Sequence, residues 1–410
     1  MLDLLVRGGR VVEPGGLQPR TIAVQAGRVA ALLPPGQSPP SRNVLDVDGC
    51  IVLPGLVDAH VHFREPGLTH KEDFASGSLA AALGGVTTVM VMPTDSPMTQ
   101  TAEQFAEKRQ LAEGRCHVDF ALQALVGPDL SHIERLARAG AVSFELFLGL
   151  LGEGRTIRGD EELVSALKAV RAVNRVAGVS QFEAAEADGI ARIVKAQRAS
   201  GARVHVRQVS DAHSLPLLEG VSSEVTPHNL LLTEDTFRRL GAVAKVIPPL
   251  RTEQDILAMQ QALASGRISI VATDHAPHTP EEKAQSLEKA PGGFPGVQTM
   301  LPLLLGLVSR GMLDYPRLVD AACTQPARLF GLFPQKGALQ QGADADLVVI
   351  DPARPLQIRD ADQASKAGRT PFHGWAAPAT PVMTLLRGEV IARNGALARP
   401  SYGRFLAPPG

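Results

Sequence analysis

Cysteine is scarce in this chain of 410 residues: there are three, Cys50, Cys116 and Cys323, far apart and odd in number. They form no CxxC or zinc-finger spacing and no disulfide framework, which predicts a reducing, cytoplasmic location. An excess of charge of either sign is also missing. The formal net charge is -1 with both signs scattered, which excludes bulk attraction to nucleic acid or to an anionic membrane. No apolar run reaches the length of a membrane span, and the N-terminus has no basic-then-apolar signal segment. The expectation from these absences is a soluble intracellular protein. With 44% hydrophobic and 20% charged residues, the chain supports a large core, as one big domain plus a smaller one.

What is present centres on Asp58-Ala59-His60-Val61-His62-Phe63-Arg64. Side chains on a strand alternate with period 2, so His60 and His62 point to the same face and their imidazoles can converge on one ion of the zinc type. The alternative is two histidines on a half-buried strand with no metal. Asp274 follows an apolar run in Ala272-Thr273-Asp274-His275-Ala276-Pro277-His278. A carboxylate there can ligate a metal and take a proton from water, against the alternative of a turn or helix-capping aspartate. Arg64 shares the face of the histidine pair and suits a bidentate hold on a carboxylate, or else a surface salt bridge.

The two ends of the chain read as short strands, over 2–6, 21–24, 29–33 and 44–47, then over 347–350, 382–386 and 389–392. They predict one small β domain built from both ends. Between them, apolar segments over 87–92, 117–122, 143–148, 179–182, 203–209, 223–225, 244–247 and 268–272 alternate with helical stretches over 77–83, 102–112, 133–139, 160–176, 184–199 and 253–264. Such alternation predicts parallel βα units, and about eight of them fit a TIM-like barrel with its chemistry at the C-terminal strand ends.

The segment over 58–92 resembles dihydroorotase, of the cyclic amidohydrolase family, and most nearly the dihydroorotase domain of the animal multifunctional pyrimidine enzyme. The runs Glu224-Val225-Thr226-Pro227-His228, Lys245-Val246-Ile247-Pro248-Pro249-Leu250-Arg251, Asp274-His275-Ala276-Pro277-His278-Thr279 and Gly293-Phe294-Pro295-Gly296-Val297-Gln298 resemble the same family. Gly342-Ala343-Asp344-Ala345-Asp346-Leu347 is similar to the closing signature of the wider cyclic amidohydrolases. The resemblance implies an α/β fold: a (β/α)8 TIM-like barrel over 55–335 and a small β-sandwich domain from 1–54 and 336–400, with 401–410 as a tail. It also implies hydrolysis or closure of a cyclic amide that carries a carboxylate, such as dihydroorotate, in pyrimidine biosynthesis.

Active members of that family hold two metals. One lies on the HxH pair and the strand-8 aspartate, the other on histidines from strands 5 and 6, with a carboxylated lysine on strand 4 bridging them. Here the lysine position aligns with Glu145, and the two histidine positions with Gln181 and Gln208. Strand alternation turns His205, three residues from Gln208, away from the mouth. One zinc or similar divalent ion is therefore expected, on His60, His62 and Asp274, with Glu145 either a further ligand or paired with an arginine. Asp274 is the expected proton shuttle. Arg64 and His278 match the family's carboxylate-holding residues, and Thr94 stands where its asparagine would. A homo-oligomer is expected. Two other functions stay open: a non-catalytic homologue serving as structural partner of aspartate transcarbamoylase, and a hydantoinase- or allantoinase-like activity.

Overall fold

The computed structural model describes residues 1–149 and 156–409. Its centre is a set of parallel strands: Leu56–Val61, Val86–Val91, Asp119–Leu122 with Ala124–Leu125, Ser143–Leu148, Val176–Gln181, Arg203–Val206, Ser222–Val225 and Ile270–Val271. They form a three-stranded and a six-stranded sheet, every pairing parallel. Beyond the last strand the chain returns to the first: Val61 bridges His275 in parallel, and the His62 amide donates to the His275 carbonyl at 2.8 Å. Most of these strands are buried at every position, so both faces are covered and the sequence runs apolar rather than alternating.

Helices follow the strands, among them Phe74–Leu83, Ala102–Ala112, His132–Ala139, Asp160–Ala172, Glu186–Ser200 and Glu253–Ala264. Their starts are written locally. Asp73, Thr101 and Thr252 each accept from the backbone three residues on, within reciprocal capping boxes. Several expected bounds shift; the strand expected over 203–209, for one, ends at Val206. The helix expected over 160–176 ends at Ala172, because Asn174 takes a left-handed φ of 54° and the next strand already begins at Val176. The apolar run over 244–247 is no strand. A 3-10 turn covers Gly241–Ala244, and Lys245 Nζ donates to the carbonyls of Leu287 and Ala290 at 2.6 and 2.7 Å. A short apolar run cannot by itself distinguish a strand from a buried loop. The strand set is completed instead by Leu56–Val61.

The two chain ends share a sheet. Its order is Ala396–Leu397, Glu389–Arg393, Thr380–Leu386, Leu347–Asp351, Ile51–Pro54, Arg10–Glu13, Gly16–Pro19, with Ile51–Pro54 antiparallel to Leu347–Asp351. A second sheet holds Arg28–Leu33, Thr21–Gln25, Leu2–Arg7 and Ser41–Asp46. One buried cluster draws on both, with Val6, Ile22 and Val24 from the second sheet and Val11, Val52, Leu347 and Leu385 from the first. The segment expected as a tail is docked: the amides of Arg404 and Leu406 donate to Asp119 Oδ1 and the Phe120 carbonyl, each at 2.8 Å.

A buried cation ties the C-terminal strands to the parallel set. Lys336 Nζ lies 2.5 Å from Asp119, 2.9 Å from Asp344 and 2.8 Å from Asp346, and Arg387 also pairs with Asp119. These three aspartates have the spacing of a metal cage, but the ammonium already occupies the position of the ion. Removing one partner of a buried pair leaves an uncompensated charge. Lys336→Met is expected to lower stability by about 3–5 kcal/mol, measured by urea unfolding.

Candidate metal centre

His60, His62 and Asp274 meet at the C-terminal ends of the first and last parallel strands. His62 Nε2 lies 3.1 Å and His60 Nε2 3.3 Å from the same oxygen, Asp274 Oδ1. Donors about 2.1 Å from a tetrahedral zinc ion stand about 3.4 Å apart, so the separations fit one ion. The far nitrogens are held as well. His60 Nδ1 donates to Glu224 Oε1 at 2.5 Å, and His62 Nδ1 to Thr94 Oγ1 at 2.7 Å. Those bonds turn both Nε2 atoms toward Asp274, the arrangement by which proteins orient metal-binding imidazoles. The donor set therefore fits a divalent ion of the zinc type, and among the described residues these three form one of two groups with metal-like spacing.

Charge follows the same geometry. Against the cost of burial, His60 and His62 hold the Asp274 carboxyl below its ordinary range. Arg207 and His60 likewise hold buried Glu224 well below it. Burial pushes His62 down to about 3. Burial, then Arg64 and Lys71, push His278 down to about 3 as well. The backbone is strained at this site: Arg64, Gln208 and Asp274 have φ of 60°, 52° and 49°, in the left-handed region that non-glycine residues seldom occupy.

A cavity of about 230 Å³ opens beside the triad, lined by His60, His62, Arg64, Thr94, Gln208 and His278 among others. Arg64 Nε donates to the Pro277 carbonyl at 3.3 Å, and Nη2 lies 3.3 Å from His278 Nε2. Lys71 pairs with Glu282 at 2.8 Å, whereas among the described ion pairs Arg64 has no carboxylate. Gly293, with φ 121°, lets the chain pass close to His278: a Cβ there would lie 2.7 Å from the Ala276 carbonyl oxygen and 3.3 Å from His278 Nε2. Phe147 and Phe182 stack at 6.3 Å and close the opposite wall.

The structure corrects the expected positions of Glu145, Gln181 and His205 and keeps Gln208 at the cavity. Glu145 is not brought to the triad. It is fully buried and ion-paired with Arg207 at 2.7 Å, so the arginine alternative holds. Gln181 faces outward: its Oε1 accepts from the Glu183 amide at 3.1 Å and approaches Gly189 of helix Glu186–Ser200. Alternation from Gly178, which abuts Glu145, puts Ser180 on the cavity face instead. Gln208 does reach the triad, but as a donor to Asp274 Oδ2 through Nε2. His205 faces inward, with Nε2 2.9 Å from Glu224 Oε2. The offset from Gln208 misleads because Gln208 lies past the strand end with positive φ, where alternation no longer applies. Thr94 orients His62 and lines the cavity, and its own O–H is left able to donate.

Sequence reasoning missed Arg207, Gln123 and the role of Glu224. A signal was present: a charge within or at the end of an apolar strand must find a partner when buried, and Glu145 and Glu224 interrupt such strands while Arg207 directly follows one.

A model of the amidohydrolase family matches residues 51–391. The chain is similar to the dihydroorotase of Methanothermobacter thermautotrophicus, 37% identical over 437 residues, covering 99% of this chain and 97% of that one. It is also similar to the dihydroorotase of Methanosarcina mazei, 32% identical with 100% and 99% covered. Among solved structures, the L-hydantoinase (dihydropyrimidinase) from Arthrobacter aurescens superposes with a TM-score of 0.94 at 31% identity, covering 99% of this chain and all, 100%, of that one. The D-hydantoinase from Thermus sp. gives 0.91 at 26% identity, with 99% of each chain covered.

Two outcomes are expected. Zinc titration of the metal-free protein saturates at about one ion per chain, as the single donor set implies, and His60→Ala loses that site by calorimetry. His228, buried and pushed down to about 4, refuses a proton that the unfolded chain accepts below about 6.5. Its contribution to stability therefore rises with pH between those values and is flat above them. His228→Gln should shrink the fall in urea stability between pH 7 and pH 5.

Proposed function

The chain belongs to the amidohydrolase family, as a homologue of the dihydroorotases, and on that premise we propose that it hydrolyses or closes the ring of a cyclic amide acid such as dihydroorotate, in pyrimidine biosynthesis, with one divalent metal ion. The observation that carries the substrate class is Arg64, a cation with no carboxylate partner among the described residues, in the wall of the cavity that holds a complete ligand triad. Buried charge calls for an opposite charge, and an acid-bearing ring supplies it. A bound zinc ion would polarise the amide carbonyl and lower the pKa of water at the site.

The residues divide the remaining work. Arg64 binds the substrate carboxylate and fixes ring orientation. His278, neutral at working pH because of its depressed pKa, adds a neutral hydrogen bond. Thr94 holds His62 and offers its O–H to the ring. Asp274 is ionised and anchored at Oδ2 by Gln208, so it takes a proton from the attacking water and delivers it to the departing ring nitrogen.

The same reading places the parallel strands in a closed (β/α)8 barrel over 55–335, with a β-sandwich from 1–54 and 336–400, consistent with the Val61–His275 bridge. It includes a reducing cytoplasm, supported by three free cysteines, and a homo-oligomer able to dock with aspartate transcarbamoylase. No helix among the described residues is long and apolar enough to cross a membrane. The hydantoin alternative draws support from the L-hydantoinase likeness, but a neutral ring leaves Arg64 unmatched. The non-catalytic alternative finds no support in the comparisons.

Turnover of dihydroorotate by the zinc-loaded protein tests the proposal: no bound zinc and no turnover overturns it. Arg64→Met is expected to raise KM for dihydroorotate by about ten- to hundredfold, the value of a hydrogen bond to a charged group, with kcat little changed in steady-state assays.

A further inference from the structure

Behind His60 lies a buried ion cluster that touches neither the cavity nor the ligand atoms of the triad. At its centre Arg207 is fully buried. Its Nε donates to Glu145 Oε2 at 3.1 Å. Its Nη1 donates to the Ala59 carbonyl at 3.1 Å and to Glu224 Oε2 at 2.9 Å. Its Nη2 donates to Gln123 Oε1 at 2.6 Å and to Glu145 Oε1 at 2.7 Å. All five guanidinium N–H groups are thereby matched. Gln123 Nε2 also donates to the Ala59 carbonyl, at 3.1 Å, and Ser143 Oγ donates to Gln123 Oε1 at 2.7 Å.

Two of these contacts lead to His60. Glu224 takes Arg207 and His205 on one oxygen and presents the other to His60 Nδ1. The Ala59 carbonyl, one peptide before His60, is gripped by both Arg207 and Gln123. The space for this cluster is built into the chain: a Cβ on Gly178 would lie 2.3 Å from both Glu145 oxygens. Gln208, the residue after Arg207, anchors Asp274, so one strand end braces two of the three metal ligands.

We propose that Arg207 is a positioning residue for the metal ligand His60, holding Glu224 against the imidazole and pinning the backbone before it, so that Nε2 is aimed at the ion site before any ion binds. The proposal rests on the single-metal site above. Its function differs from charge balance alone: Arg207 neutralises Glu145, but it orients His60 through Glu224 and Ala59. A ligand held in place in advance loses less freedom when it binds, and partners of this kind are typically worth about ten- to hundredfold in metal affinity.

The test separates the two roles. Arg207→Met combined with Glu145→Leu removes the cation together with the charge it neutralises, so the fold survives better than with Arg207→Met alone. Zinc affinity is measured by competition with a chromophoric chelator, and folding by circular dichroism and thermal melting. The expected result is a folded double variant that binds zinc about ten- to hundredfold more weakly than the native protein. A folded double variant with native zinc affinity overturns the proposal. If the double variant does not fold, Arg207→Lys decides. It keeps the charge but cannot span Glu145, Glu224 and Ala59 together, so weakened zinc binding supports the proposal and native affinity overturns it. A native protein that binds no zinc overturns the metal site itself and this inference with it, whereas native affinity in the variants overturns the inference alone.

Discussion

The pairing of Arg207 with Glu145 and Glu224 is the constraint around which the centre of this molecule is organised. Three charges with no exposure to solvent would each cost several kcal/mol to bury alone. They are tolerated because every guanidinium donor is matched, and because the surplus negative charge faces imidazoles. Strands Ser143–Leu148, Arg203–Val206 and Ser222–Val225 are thereby locked in relation to Leu56–Val61, where His60 sits. A hydrophobic filling of the same volume would be cheaper to bury but would leave Glu224 with His60 and His205 alone and release the Ala59 carbonyl that precedes His60 from its guanidinium.

A comparable device recurs where the terminal strands meet the parallel set. Lys336 sits among Asp119, Asp344 and Asp346 and joins the Asp119–Leu122 strand to the start of Leu347–Asp351. In both clusters a protein cation stands among carboxylates. At the triad no cation of the described residues is paired with Asp274 besides the two histidines: Thr94 and Gln208 hold the ligand atoms, and Arg64 lines the cavity beside them. That contrast, among the described residues, separates the proposed metal site from the two clusters where the chain supplies its own positive charge.

Much of the architecture was legible in the sequence. Alternating apolar strands and helices and the paired strand texture of the two ends act through neighbours close in the chain. The triad was legible too, because HxH spacing and an aspartate after an apolar strand carry their own geometry. The failures have different causes. His205 was oriented by counting alternation from Gln208, and the positive φ at Gln208, past the strand end, breaks the count, whereas Gln181 was placed by the family's ligand pattern, which its own strand does not follow. The run over 244–247 has the composition of a strand without neighbours to pair with.

The sequence by itself therefore determined the residue types of the triad, the shared face of His60 and His62 and the family to which the chain belongs, since these depend on residue identity and on periodicity within a few positions. Tertiary structure alone decided the fate of Glu145. Its partner Arg207 lies 62 residues away, and Glu224, which shares that partner, lies 164 residues from the histidine it holds. Which carboxylate meets a metal and which meets a guanidinium depends on lateral strand order and depth within the sheets, and no local pattern encodes either.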